Sequence, residues 1–438
     1  MINCIGIRKE TKDKTQKRVP LSPEQVADLR TAHGLRVLVQ SMPQRVFSDE
    51  DYSAAGAELT DDLSESNVVF GVKEIQPDLM LDGMAYVFFS HTIKAQPYNM
   101  AMLRHILDRR ITLIDYELIK DEEGRRLVFF GNYAGYAGII DSIWAMGRRL
   151  EAEGLITPFA HIRYATDYGL LADAETAFRE AGESIRTDGL PEQMVPFVCG
   201  FTGYGNVSRG AQHLYDLLPV EEIRPDDLSA FYARGEFSNK VVYKVEFREA
   251  DMFEPAQPGA DFNLQEFYDH PERYRGRFET YLPYLTMMLN GIYWEPRYPR
   301  LVTIDAMQAL WSAAEKPRLR VIGDVTCDID GSVQLTVKET NSENPVFVYE
   351  PLGGAVIDGV VGEGPVILSV DKLPTELPRE ASAAFGASLS PLVPALAAAD
   401  FTVPYEALDL PPALKRAVIA HAGKLTPDFA YLQSHIGG

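Results

Sequence analysis

Two apolar runs in this chain end on ionisable residues. NVVFGVKEI runs into Lys73 and Glu74, and AYVFFSHTIKAQ runs into His91. An imidazole moves protons near neutral pH. An ammonium does so only where burial or neighbouring positive charge lowers its pKa from about 10.4 toward neutrality. Glu74, beside the lysine, is placed to tune that pKa or to pass protons onward. Taken singly, His91 reads as a hydrogen-bonded core histidine and Lys73 as a solvated strand end. Their matched positions point instead to an acid–base pair.

Basic residues cluster in the same part of the chain. RKETKDKTQKRVPLSP holds Arg8, Lys9, Lys12, Lys14, Lys17 and Arg18, and EEGRRLVFFGNYAG adds Arg125 and Arg126. Arginine forks grip carboxylates in bidentate fashion, so these clusters suit a substrate bearing several of them. The plainer alternative is a set of solvated faces. YELIKDEEG offers Glu117 as a partner for a substrate ammonium.

The sharpest local signal is VPFVCGFTGYGNVSRGAQHLYDLL, an apolar run that meets Gly200, Gly203, Gly205 and Gly210 before a helical pattern. In a dinucleotide-binding turn the first glycine allows the tight bend and the second lets backbone approach the pyrophosphate. The helix N-terminus then supplies N–H donors. Ser208 stands where a third glycine or alanine is usual, and it is small enough to keep helix and strand close. The following apolar run, VEEIRPDDL, carries Arg224 near the position that reads the adenosine ribose. A cation there favours NADPH over NAD. The alternative is an exposed arginine offset by Glu222, Asp226 and Asp227.

Short apolar runs must position these groups. NCIGIR, LRVLVQ, NVVFGV, AYVFFS and TLIDYE read as buried strands, with PEQVADLRTAH and YNMAMLRHILDRR helical between them. Ser22 followed by Pro23 marks a helix entry. From Gly135, AGYAGIIDSIWAMGRRLEAEG reads as a long helix, and a second series of strands starts near residue 194. The alternation predicts α/β architecture with parallel sheets. Domain boundaries are expected at 1–134 plus 335–438 for substrate binding, and 135–334 for the dinucleotide. FEPAQPGADFNLQEFYDHPERYRGRFETYLP forms an insertion at about 252–285 that covers one edge of the site. LPREASAAFGASLSPLVPALA reads as a closing helix.

Composition limits the partners. The 438 residues are 46% hydrophobic and 24% charged, with a net charge of −21. That surface repels phosphate backbones and anionic lipid, so no nucleic-acid or membrane partner is expected. No apolar run reads as long enough to cross a bilayer. The three cysteines form no CxxC pair and the eight histidines no HExxH, so neither a disulfide scaffold nor a metal site is expected. The N-terminus turns charged within its first residues, which speaks against a signal peptide and for a cytoplasmic protein.

Together RKETK, KRVPLSP, GVKEI, FFSHTIKAQ, LIDYE, GRRLVFFGNYAGYAG, GFTGYGNVSRGAQ, LNGIYWE, DVTCDIDGS and LPREAS resemble the lysine–ketoglutarate reductase family. That family forms the N-terminal half of bifunctional aminoadipic semialdehyde synthase, and the resemblance spans essentially the whole chain. The chain is similar, more distantly, to the fungal lysine-forming saccharopine dehydrogenases, which lack the insertion. The resemblance implies two Rossmann-type doubly wound domains of the alanine dehydrogenase/saccharopine dehydrogenase-like architecture, with a cleft between them.

It also implies an NADPH-dependent reductase that condenses L-lysine with 2-oxoglutarate and reduces the imine to saccharopine, in lysine degradation. His91 would serve carbinolamine formation and dehydration, and Lys73 the proton on the bridging nitrogen. Arg18 and Arg126 would hold carboxylates, with Lys12, Glu74 and Glu117 tuning or orienting the site. The cofactor would lie against Gly203, Tyr204, Gly205, Asn206, Val207, Arg224, Asn290 and Asp324. No second, glutamate-forming half follows Gly438 in this sequence, so the expectation is either that saccharopine passes to a separate saccharopine dehydrogenase protein or that the chain acts on a related amine and keto acid. Two alternatives stay open: an NAD-dependent saccharopine dehydrogenase working in the lysine-forming direction, and a non-catalytic dinucleotide-binding sensor.

Overall fold

The computed structural model describes residues 3–12 and 16–436. The chain divides into two compact units, Met1–Phe130 with Pro378–Gly438, and Gly131–Leu377.

In the first unit the apolar runs form β1 (Cys4–Ile7), β2 (Arg36–Val39), β3 (Glu58–Leu59), β4 (Val68–Phe70), β5 (Ala85–Phe88) and β6 (Thr112–Asp115). These six pair in parallel in the order β6-β5-β4-β1-β2-β3. An antiparallel hairpin, Val418–His421 with Lys424–Leu425, extends the sheet beyond β6. Residues of β1, β4, β5 and β6 are buried throughout, as strands covered on both faces must be, which is why they read as unbroken apolar runs. Helix α1 (Pro23–His33) opens on a capping box between Ser22 and Gln25 and stops at Gly34, φ 64°. Helices α2 (Asp49–Ala54) and α3 (Pro97–Asp108) complete the local crossovers.

By length and composition Pro378–Ala398 could cross a membrane, which corrects the expectation that no segment is long and apolar enough. In the structure this segment is two helices, Pro378–Leu389 and Val393–Ala398, joined by a 3-10 turn at Ser390–Leu392. Phe385, Leu389, Val393 and Leu396 enter one core with Ile5, Val37 and Tyr116. Its apolar character is spent on packing.

The second unit opens with α4 (Gly131–Ala152) and α5 (Leu171–Asp188). The latter was not anticipated, although Ala174, Phe178, Ala181 and Ile185 line its buried face at helical spacing. Then follow β7 (Val198–Thr202), α6 (Asn206–Tyr215), β8 (Val220–Glu222), β9 (Val242–Phe247), β10 (Phe253–Pro255), β11 (Tyr274–Gly276), β12 (Met287–Asn290), β13 (Val321–Asp324), β14 (Val346–Tyr349), β15 (Val356–Asp358) and β16 (Val366–Leu368). The main sheet runs β15-β14-β16-β13-β12-β7-β9-β8, while β10 and β11 form a separate two-stranded ribbon inside the insertion.

Two expectations change here. The runs PVFVYEP and PVILSVD are β14 and β16. β16 lies parallel to β13 with Val321 opposite Val366, so 335–377 completes the second sheet and the chain rejoins the first unit only at Pro378. An apolar run shows that a strand will be buried, not which sheet satisfies its backbone. The second and third strands of the unit also exchange places: β9, not β8, pairs with β7.

Candidate active site

In the first unit β4 and β5 lie side by side with Phe70 opposite Val87, so their C-terminal ends open at one edge. Lys73 and His91 each stand just past the end of one of these strands. Glu10, which sequence reasoning passed over inside RKETK, fixes the first of them. Its buried carboxylate accepts the backbone N–H of Val72 at 2.7 Å and of Lys73 at 3.0 Å. Burial pushes the Glu10 pKa up, against the opposing charge of Arg8 and these two bonds.

Glu74 joins the cluster. Its Oε1 takes Nδ1–H of His91 at 2.8 Å and Nζ of Lys12 at 2.7 Å. Burial alone would raise this carboxyl, but hydrogen bonds from His91 and Lys12 outweigh it and hold the pKa at about 2. Glu74 is therefore a carboxylate at neutral pH. Facing a group that can only accept, Nδ1 is the donor, which leaves Nε2 outside this hydrogen bond.

The sign of the linkage follows. A carboxyl lowered on folding contributes stability above its unfolded pKa, and that contribution is lost as pH falls toward about 2. The stability advantage of wild type over Glu74→Gln is expected to be the same at pH 7 and pH 5.5 and smaller at pH 3.5, read as urea midpoints.

His91 has a left-handed backbone, φ 52°, a conformation costly for a residue with a Cβ. Asn99 Nδ2 donates to the His91 carbonyl at 3.1 Å, and the ring stacks on Phe89 with 6.3 Å between centroids. Asp115, at the end of β6, takes the N–H of Ser90 at 2.9 Å and of Glu117 at 2.8 Å. One buried acid thus sets the backbone before His91 and orients Glu117. Glu10 and Asp115 were legible only as carboxylates at strand ends, a signal that many solvated acids share.

The other expected groups differ in their surroundings. Glu117 pairs with Arg126 at 3.0 Å, which leaves a carboxylate and a guanidinium side by side. Arg18 is buried, 4.3 Å over the ring of Phe130, with Gln16 accepting its backbone N–H and its Nε. Arg125 lies on the solvated surface against Asp121 and Glu123, and Lys9 likewise against Asp61. Lys14 lies outside the described residues. Among the described residues no group of three or more His, Cys, Asp or Glu is placed to hold a metal ion.

The second unit carries the glycine turn as strand, turn and helix. Gly203 has φ 79°, and a Cβ there would meet Ile292 at 3.1 Å. Gly205 caps α6 with no side-chain bond, and nothing lies within 4 Å of where its Cβ would be. An open approach to the first N–H groups of a helix, those of Asn206 and Val207 included, is what a pyrophosphate needs, so the turn fits a dinucleotide. Beside it is a cavity of about 580 Å³ bounded by Gly203, Gly205, Phe253, Phe267, Tyr268 and Trp294. The insertion supplies one wall.

Asn290 and Asp324, ending β12 and β13, are fully buried and bonded to each other at 2.9 Å. Thr202 and Ser332 engage Asn290, and Thr326 and Thr336 donate to Asp324. Their side chains are consumed in bracing the strand ends. Arg224 stands at the end of the outermost strand, exposed, and holds Asp227 through two hydrogen bonds. Its pairing is the plainer of the two readings of VEEIRPDDL.

The model of the alanine dehydrogenase/PNT N-terminal domain matches residues 6–137. An alpha-aminoadipic semialdehyde synthase from Arabidopsis thaliana is 38% identical over 98% of this chain, which spans 41% of that protein's length. A saccharopine dehydrogenase [NAD(+), L-lysine-forming] from Neurospora crassa is 27% identical over 88% of this chain and 89% of its own. A solved structure of L-alanine dehydrogenase superposes with a TM-score of 0.62 at 20% identity, covering 99% of this chain and all of that one. That likeness establishes the α/β Rossmann-type fold. Aligned along 98% of its length, the chain is similar to the aminoadipic semialdehyde synthases, of which it spans less than half, and more distantly to the lysine-forming saccharopine dehydrogenases.

Proposed function

We propose that the chain is an NADPH-dependent reductase that condenses L-lysine with 2-oxoglutarate and reduces the imine to saccharopine, in lysine degradation in the cytoplasm. The observation that carries this reading is the array of Lys12, Glu74 and His91 held beside Lys73 at the ends of β4 and β5. The names of the relatives support the same chemistry.

His91, with Nδ1 anchored on Glu74, gives a proton through Nε2 to the ketone oxygen as the amine adds. The proton shed by the added amine returns to Nε2, which passes it to the departing hydroxyl as water leaves. Lys73 holds and moves the proton on the bridging nitrogen. Lys12 keeps Glu74 charged, so His91 stays oriented through both steps. Arg18 and the Arg126–Glu117 pair receive substrate carboxylates and an ammonium. A nicotinamide dinucleotide held by Gly203, Tyr204, Gly205, Asn206 and Val207 would supply the hydride.

The test is the rate of NADPH oxidation with lysine and 2-oxoglutarate, each omitted in turn. Consumption only when both are present is expected; NADPH binding without lysine-dependent oxidation would return the chain to the class of dinucleotide sensors. His91→Gln is expected to lower kcat about 100-fold, the low end for a lost general acid, and to remove the corresponding limb of the pH–rate profile. An unchanged profile counts against His91 as the proton donor.

A further inference from the structure

In a doubly wound nucleotide-binding sheet, the strand beside the first one presents its C-terminal end to the adenosine ribose. In the second unit that neighbour is β9, with Thr202 opposite Phe247. The residues at the ribose position are therefore Glu246, Phe247 and Arg248. Arg224 follows β8, one strand farther out, with its Nε and Nη2 on Asp227.

Arg248 lies 5.1 Å over the ring of Tyr204 in the glycine turn, and both Nε and Nη2 reach Glu246 Oε1 at 3.0 Å. Gln212, on α6, donates to the other oxygen of Glu246 at 2.9 Å. Both oxygens of that acid are thus engaged by protein donors. Arg248 is different. Its side chain is 66% exposed, and among the described residues its Nη1 has no bonded partner. It borders a recess of about 590 Å³ that also reaches Gln212, Lys244 and Glu246 on this side and Arg224 and Asp226 on the other strand's side.

We propose that Arg248 reads the 2′-phosphate of NADPH, with Glu246 and Gln212 as positioning residues and Tyr204 as the platform beneath it. The assignment deepens the NADPH reading above and rests on it. A guanidinium seated over an aromatic ring, with one edge fixed by a carboxylate, presents its other edge to a phosphate at little further cost in ordering. The recess itself is mixed in charge, and Lys244 there is already held by Asp216 and Glu222. Of the two arginines that border the recess, Arg248 is the one beside Tyr204 and next to the first strand.

Fluorescence titration of the purified chain with NADPH, NADH and 2′,5′-ADP tests this. Arg248→Gln is expected to weaken NADPH and 2′,5′-ADP at least tenfold and NADH less than twofold, whereas Arg224→Gln moves all three by less than twofold. Selective loss of NADPH in Arg224→Gln, with Arg248→Gln unaffected, overturns the assignment. Equal losses of NADPH and NADH in Arg248→Gln also overturn it, because that pattern marks a group that merely supports the turn. A wild-type chain that prefers NADH and ignores 2′,5′-ADP overturns the NADPH reading itself, a result visible before any variant is made.

Discussion

Lys73→Met is expected to lower kcat for NADPH oxidation by about 1,000-fold while leaving the Kd for NADPH within twofold. The factor lies within the usual range for a lost general acid–base group and corresponds to about 4 kcal/mol of barrier. Methionine keeps the unbranched shape and most of the length of the side chain and removes its charge and its proton. The backbone of residue 73 stays in place, because it is held by Glu10 through the N–H groups of Val72 and Lys73. The half-buried position of Lys73 makes a folding defect small, and a thermal melt within a few degrees of wild type checks that. Activity within tenfold of wild type would assign Lys73 to the solvated strand ends and remove it from the mechanism.

The second large effect concerns stability. Gly135→Ala is expected to destabilise the second unit by roughly 2 kcal/mol and lower its Tm by about 4–8 °C. A Cβ at Gly135 would stand 1.9 Å from the carbonyl oxygen of Val207, and one at Gly210 would stand 2.3 Å from that of Asn132. Each of α4 and α6 thus sets a glycine against the other's backbone. Backbone atoms cannot rotate aside as a side chain can, so the helices must separate. The gain of alanine over glycine inside a helix, up to about 1 kcal/mol, offsets only part of that cost.

Gly205→Ala is the control for this prediction. With φ −75° and nothing within 4 Å of its Cβ, it is expected to melt with wild type yet bind NADPH at least tenfold more weakly, because the added methyl stands where the pyrophosphate must approach. Equal melting of Gly135→Ala and wild type would show that the close contact of α4 with α6 relaxes at no cost.

The residues themselves made much of this protein legible. Lys73 and His91 stand out because an apolar run that stops at an ionisable group marks the end of a buried strand. Gly203, Gly205 and the spacing of Ala211 and Leu214 identify strand, turn and helix from local chemistry alone. Each of these signals spans fewer than about two dozen residues, within reach of one strand and its helix.

What needed the folded chain is pairing across long separations. That β9 slips between β7 and β8, carrying Arg248 to the place where Arg224 was expected, depends on hydrogen bonds between backbones that no side-chain pattern records. The same holds for β14 and β16, whose apolar runs would suit either sheet. Glu10 and Asp115 gain their roles only because folding carries one to the N–H of Lys73 and the other to that of Ser90. Local sequence sets where strands end and what they present; the order in which strands lie side by side, and so which ends meet, is settled by burial and backbone pairing over the whole unit.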